Sequence, residues 1–305
     1  MAQRVETDQL LTVGLALRLG TASLRTAGVE TAALDMSLLL AEALGLTRLQ
    51  VYTQSDRPLD QAERARAREL LARRIRREPL AYILGQREFM GLDFKVSPAV
   101  LIPRPETELL VELTRDWLLA RLAHSPAPRV ADIGTGSGAI ILALAHALHE
   151  RAPGMRFIAT DLSPAALALA RENAERLGLL GRLTWRQGSL LEPLACDLQA
   201  GEHFDAIVSN PPYVPEAARP TLAPEILNFE PHQALFSAED GLAHLRALIA
   251  TAPQYLQPGG LLALECGGEQ AAALAAAMQA GGQFEHVTIT PDLAGIPRIV
   301  SAQHI

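Results

Sequence analysis

The chain has 305 residues, 49% hydrophobic and 20% charged, with a formal charge of -7; this allows one large or two modest domains with a full core. The acidic balance argues against a surface that binds nucleic acid broadly. Cys196 and Cys266 are the two cysteines and have no metal-ligand spacing, which excludes a disulfide framework and a zinc site and fits a reducing compartment.

In chain order, residues 1–20 carry Arg4, Glu6 and Asp8 where a signal peptide needs a basic start and an apolar core. No apolar run reaches membrane-spanning length, so a cytoplasmic protein without membrane contact is expected. From residue 10 to 84 apolar residues recur at helical spacing (Leu34, Leu38, Leu39, Ala41, Leu44), punctuated by Gly28, Gly45 and Pro58, which predicts a small helical bundle. Its last helix, residues 61–77, carries Arg64, Arg66, Arg68, Arg73, Arg74, Arg76 and Arg77 against Glu63 and Glu69. Such a face is either solvated or meets an acidic partner or RNA. Pro79 is expected to break this helix.

Residues 88–102 change pattern: Phe89, Met90, Gly91, Leu92, Asp93, Phe94, Lys95 and Val96 predict a short β-hairpin around Gly91. Ile102-Pro103-Arg104-Pro105-Glu106 then opens a helix through Trp117 and Leu122, with Glu106 and Glu108 where the helix dipole favours acids. Beyond Arg129, strands at 130–133, 156–160, 183–187, 204–208 and 260–265 alternate with helices such as 139–148, which predicts a parallel sheet covered on both faces. The strands 284–290 and 298–302 are joined too tightly for a helical crossover and should pair antiparallel at an edge. Gly281-Gly282-Gln283 ends the alanine-rich helix 271–280. The expected architecture is α/β: a seven-stranded, mostly parallel, Rossmann-like sheet with an antiparallel last strand, plus an N-terminal helical bundle joined by a β-hairpin. The expected boundaries are 1–85, 86–103 and 104–305.

Asp132-Ile133-Gly134-Thr135-Gly136-Ser137-Gly138 lies between a predicted strand and a predicted helix. Glycines there let backbone approach a ligand, and the helix N-terminus offers free N–H groups to an anion. Asp161, ending the second strand beside Leu162, can accept hydrogen bonds from two ribose hydroxyls. The glycines do not follow the Gly-x-Gly-x-x-Gly pattern of nicotinamide sites. The pattern favours S-adenosylmethionine, with Gly134, Thr135, Gly136, Ser137, Gly138, Asp161, Leu162, Ser189, Leu190 and Asn210 as cofactor-binding candidates and no metal.

Asn210-Pro211-Pro212-Tyr213 follows the strand 204–208. Neither proline donates an N–H, and each restricts the residue before it, so the loop is stiff and rich in acceptors. A planar group with two N–H donors would match the Asn210 side-chain oxygen and the Pro211 carbonyl, with Tyr213 as an apolar wall; Asn210, Pro211, Pro212 and Tyr213 are the catalytic candidates.

The glycine loop, Asp161 and Asn210-Pro211-Pro212-Tyr213 together resemble a class I methyltransferase acting on an amide or amine nitrogen. Ala81-Tyr82-Ile83-Leu84-Gly85, Ile102-Pro103-Arg104-Pro105-Glu106-Thr107-Glu108 and Asn228-Phe229-Glu230-Pro231 resemble the protein-glutamine N5-methyltransferase family, from about residue 10 to the C-terminus. The resemblance implies a glutamine in the Gly-Gly-Gln loop of bacterial class 1 peptide chain release factors as substrate, S-adenosylhomocysteine as product, and a helical domain that holds the protein substrate. A monomer without direct nucleic-acid contact is expected. Ser189 and Leu190 stand where the family commonly has an acid and an aromatic, so adenine contacts there are expected from backbone and apolar packing. An adenine N6-methyltransferase presents the same two-donor problem. A ribosomal-protein glutamine methyltransferase and a non-catalytic translation-factor-binding module are further candidates. His232 and His244 are expected in ordinary hydrogen bonds, and Glu230-Pro231 in either a lid or a merely rigid loop.

Overall fold

The computed structural model describes residues 11–305 except 124, 126 and 200, so Arg4, Glu6 and Asp8 lie outside the described residues. The chain divides into two compact units, one ending at Gly85 and including Ala223–Phe229, the other comprising Gln86–Leu222 and Glu230–Ile305. No described helix is long and apolar enough to cross a membrane.

The first unit holds α1 (Val13–Thr26), α2 (Ala32–Leu44), α3 (Arg48–Thr53), α4 (Gln61–Ile75) and α5 (Leu80–Leu84). Leu24, Leu39, Leu40, Val51 and Leu70 form its buried centre; of the run read from the sequence, Leu39 is buried, Leu38, Ala41 and Leu44 are half-buried and Leu34 is exposed. Asp60 and Glu63 close a reciprocal capping box on α4, supplying partners to N–H groups that a helix start leaves free. The helix stops at Ile75, short of Pro79, because Arg77 turns the chain at φ 68°.

The arginines of the 61–77 stretch divide: Arg66, Arg68 and Arg76 are exposed, as a solvated face requires, whereas three others are paired within this unit. Arg73 pairs with Glu78 at 2.5 Å, and the buried Arg74 reaches Asp35 at 2.7 Å. Just past the helix, Arg77 grips Glu225 with Nε at 2.6 Å and Nη2 at 2.7 Å, and Arg74 adds a third bond at 3.0 Å. Burial works against the Glu225 charge, but these guanidiniums hold its carboxyl below the usual range. Glu225 sits on α10 (Pro224–Phe229), a segment far along the chain that the sequence boundaries place elsewhere.

The second unit opens with the hairpin β1 (Gln86–Phe89) and β2 (Leu92–Lys95). A 3₁₀ turn at Pro105–Thr107 leads into α6 (Glu108–Arg121). There follow β3 (Arg129–Ile133), α7 (Ala139–Leu148), β4 (Arg156–Asp161), α8 (Pro164–Arg176), β5 (Leu183–Gln187), α9 (Ala195–Gln199) and β6 (Phe204–Ser209). After β7 (Val214–Pro215), β8 (Phe236–Ser237) and α11 (Ala243–Thr251), the unit ends with β9 (Leu256–Glu265), α12 (Ala271–Ala280), β10 (Phe284–Pro291) and β11 (Pro297–His304).

As expected, seven strands form one sheet, in the order β10-β11-β9-β6-β3-β4-β5. β11 alone runs against its neighbours and separates β9 from the edge strand β10. Alternate residues of each strand face opposite ways. Val130, Phe157 and Val208 pack with α6 and α7 residues on one side. Ala131, Ile158 and Ile207 pack with Leu245, Leu248 and Leu274 on the other. The chain proceeds from β3 to β4 and β5, then returns to place β6 on the other flank of β3, so the strand order reverses between β3 and β6. Ligands of open α/β sheets bind at the carboxyl ends of strands at such a point.

Candidate active site

Two loops leave the sheet side by side at this reversal, because Ile133 ending β3 is in register with Ser209 ending β6. The Ser209 hydroxyl donates to the Ile133 carbonyl at 2.6 Å and ties the two ends together. Beyond Ile133 the chain bends through Gly134 at φ 73°, Gly136 at 55° and Gly138 at 83°, conformations that tolerate no side chain cheaply. A Cβ at Gly134 or Gly136 would meet nothing within 4 Å; the bare backbone therefore faces open space. Gly138 instead caps α7, and its backbone lies against Leu142 and Ala170.

The loop is held from three sides. Thr135 Oγ1 donates to the buried Asp132 at 2.7 Å, Asn173 Nδ2 donates to the Ser137 carbonyl at 2.9 Å, and the Gly136 N–H donates to Asp161 Oδ2 at 2.9 Å. The other Asp161 oxygen accepts from the Ser163 N–H at 2.8 Å, fixing the carboxylate where β4 ends. Gly134, Thr135, Gly136, Ser137, Asp161, Leu162, Ser189 and Leu190 line one cleft, as do Asn210, Pro211 and Pro212.

Asn210 Nδ2 donates to Thr107 Oγ1 at 3.1 Å, which turns the side-chain oxygen away from Thr107. Tyr213 differs from the expected wall. It does not line the cleft but packs against the core, and its hydroxyl donates to Glu265 at 3.3 Å. Glu230 and Arg104, 2.5 Å apart, join the loop after β6 to the Ile102–Glu108 stretch, and Glu230 also accepts from the Ile102 N–H. Glu230-Pro231 is thus pinned in this structure, Pro231 lining the cleft.

Two family models match: the PrmC N-terminal domain over residues 16–85 and a methyltransferase domain over residues 124–292. A protein of Geobacter sulfurreducens named release factor glutamine methyltransferase is 45% identical over 276 residues, covering 90% of this chain and 91% of that one. The chain belongs to the release factor glutamine methyltransferase family. Relatives of the same name from Moorella thermoacetica, 43% identical across 94% of this chain and 97% of theirs, and from Burkholderia pseudomallei, 46% identical across 87% and 90%, agree. The catalytic domain of hMettl16, solved with an RNA hairpin, is 20% identical, with a TM-score of 0.56 over 77% of this chain and 80% of that one, a likeness of fold.

Four residues of this family member carry no site role in the sequence reading: Thr107, Asp132, His244 and Glu265. His244 lines the cleft and shares a 2.7 Å hydrogen bond with Ser237. Glu265 ends the apolar run Leu261-Leu262-Ala263-Leu264 of β9 as Asp161 ends β4; a lone acid at a strand end is the one signal of it that the sequence contains. Burial pushes the Glu265 carboxyl up to about 7; the neighbouring Thr107 and Tyr213 hydroxyls and the charge of Arg298 pull it back, and Glu106 adds to the rise. Burial likewise pushes Asp132 to about 7.

Between about pH 4.5 and 7 the folded protein therefore keeps a proton on Glu265 that the unfolded chain has lost. Stability from this group falls as pH rises through that window and levels off above it. Glu265→Gln is uncharged at every pH, so its melting temperature relative to the parent is expected to rise from pH 5 to pH 8. Thermal unfolding at both values checks this; an offset that does not change with pH would refute it.

Gly241 stands at φ 86° directly against the Tyr213 carbonyl, which also accepts from Gln270 Nε2 at 2.9 Å. Gly241→Ala would drive a methyl group into that carbonyl in a backbone conformation alanine resists. A loss of about 2–3 kcal/mol is expected, the range of strain and overpacking together, to be read from urea unfolding.

Proposed function

We propose that the protein transfers a methyl group from S-adenosylmethionine to the side-chain amide nitrogen of a glutamine in a bacterial peptide chain release factor, the glutamine of its Gly-Gly-Gln loop. The observation that carries this reading is the Asn210 amide, held by Thr107 with its oxygen directed away from that partner, in the same cleft as the glycine loop. Family membership supports a protein glutamine over other amide or amine acceptors.

The open backbone at Gly134 and Gly136, the carboxylate of Asp161 and the wall of Leu162, Ser189 and Leu190 fit the amino-acid, ribose and adenine parts of S-adenosylmethionine in turn. When bound, this cofactor supplies an electrophilic sulfonium methyl group and leaves as S-adenosylhomocysteine. The glutamine nitrogen is a weak nucleophile because its lone pair is delocalised into the carbonyl, and no side chain strong enough to deprotonate it is needed if its two N–H groups are held. The Asn210 side-chain oxygen and the Pro211 carbonyl accept those two N–H groups, orient the nitrogen and stabilise the positive charge that grows on it; one of the two protons then leaves to solvent, giving the neutral N-methyl amide. Pro211 and Pro212 keep these acceptors rigid, so little reorganisation accompanies the reaction.

Incubating the protein with a release factor and isotopically labelled S-adenosylmethionine, followed by peptide mass spectrometry, tests the reading. Label on the glutamine of the Gly-Gly-Gln loop is expected. Label absent from that residue, or found on nucleic acid instead, would overturn it.

A further inference from the structure

We propose that the turn between β10 and β11, residues 292–296, is a docking point for the release factor, with Leu293 as an apolar anchor that enters a hollow on the substrate protein beside its Gly-Gly-Gln loop. The proposal rests on the function proposed above. Isolated exposed leucines are common on protein surfaces and need no partner. Leu293 differs in where it stands and in how it is held.

Its position follows from strand register. Ser209 at the end of β6 pairs with Leu264 of β9, and Leu264 pairs with Val300 of β11, so these residues form one row across the sheet. β11 runs against β9, so the chain entering β11 lies at the carboxyl end of β9, on the side where Asn210 leaves β6. Two strand spacings separate β6 from β11, roughly 10 Å. β9 stops at Glu265, whereas the hairpin of β10 and β11 continues through the Pro291–Pro297 pair to its turn. The turn therefore overhangs the rim on which the Asn210 loop stands. A protein whose glutamine occupies the cleft must cover this rim. A specific interface takes about 800 Å² from each partner, a disc of about 16 Å radius, which reaches the turn when centred on the cleft.

The turn is fixed before any partner arrives. Asp292 Oδ1 accepts from the N–H groups of Ala294 and Ile296 at 2.9 and 3.0 Å, and its Oδ2 accepts from Arg298 Nε at 3.0 Å. The Asp292 N–H donates to the Ile296 carbonyl at 2.8 Å, and Gly295 turns the chain at φ 79°. Ile296 lies against Gly268 yet is 42% exposed, and Leu293 beside it is fully exposed. Asp292 and Arg298 neutralise each other, so covering the tip strands no unpaired charge of this turn. An apolar side chain on a rigid backbone costs little ordering when it is buried against a partner.

The test measures kcat and KM for a release factor, the dissociation constants of release factor and of S-adenosylmethionine by calorimetry, the melting temperature and the sedimentation coefficient. The variants are Leu293→Asp, Leu293→Ala, Leu293→Met and, as a control, Leu180→Asp. Leu180 is also exposed but precedes β5, at the opposite end of the parallel strands. Leu293→Asp is expected to raise KM and the release-factor dissociation constant about 10- to 100-fold, the span covered by one buried leucine side chain. Its kcat, cofactor affinity and melting temperature should stay at the parent's values. Leu293→Ala should weaken binding in the same direction, and Leu293→Met, which keeps an apolar side chain of similar volume, should restore it. Parental KM and release-factor affinity in Leu293→Asp overturn the proposal, as does an equal loss in Leu180→Asp, the mark of a general effect of added charge. A dimeric parent that Leu293→Asp makes monomeric with KM unchanged would assign the turn to a second copy of this chain and overturn the proposal too. If the parent methylates the release factor and the Leu293 variants match it, only the proposal falls. If the parent leaves the release factor unlabelled, the reading of function falls and the proposal with it.

Discussion

Asn210→Ala is expected to lower kcat by about 10²–10³-fold, the cost of deleting one preorganised electrostatic partner of a transition state, while S-adenosylmethionine binds within a few-fold of the parent. The alanine keeps the loop, because Pro211 and Pro212 hold its path whatever precedes them. It removes the acceptor at which the nucleophile's positive charge develops, an interaction stronger in the transition state than in the ground state. Single-turnover kinetics with a release factor, beside calorimetry with the cofactor alone, separates the two effects. Near-parental turnover would remove the mechanism. Asn210→Asp should also be impaired although it keeps an oxygen toward the cleft. Its second oxygen replaces the donor that Thr107 now receives at 3.1 Å, so that hydrogen bond must reverse, and a full negative charge enters the cleft.

Asp161→Ala is expected to act on the other half of the reaction, by weakening cofactor binding. The carboxylate takes the Gly136 N–H at 2.9 Å and the Ser163 N–H at 2.8 Å, so its removal loosens the glycine loop as well as deleting the ribose acceptor. With hydrogen bonds to charged groups at roughly 1.5–3 kcal/mol each, the loss should total about 2–4 kcal/mol, or roughly 30- to 1000-fold in dissociation constant. Calorimetry measures this directly, and kcat at saturating cofactor should fall far less. Burial raises the Asp161 carboxyl while the Ser163 and Gly136 N–H groups hold it down. Asp161→Asn keeps the size but puts an amide where two N–H donors converge, so it should resemble the alanine variant.

Much of the architecture was legible because strand and helix periods are local. The helix Ala139–Leu148 and the strand Leu183–Gln187 could be read to the residue, since apolar periodicity and flanking glycines mark their ends. The glycine loop and Asp161 were legible for the same reason: short motifs at a strand end carry their own context. Partners distant in the chain were not. The exposed Arg66, Arg68 and Arg76 fit a solvated face, but the carboxylates that pair with Arg73, Arg74 and Arg77 are Glu78, Asp35 and Glu225, the last 148 positions from Arg77.

The order of residues alone dictates the kinds of elements, the positions of the glycine loop, Asp161 and the acceptor-rich Asn210 loop, and the family to which the chain belongs. These follow from local backbone preference and from motifs that need no distant partner. Folding in three dimensions was needed to turn Tyr213 to Glu265 rather than the cleft, and to bring Thr107, 103 positions before Asn210, to its amide. Contacts between residues a hundred positions apart depend on the path of the chain between them, which no local pattern of residues reveals.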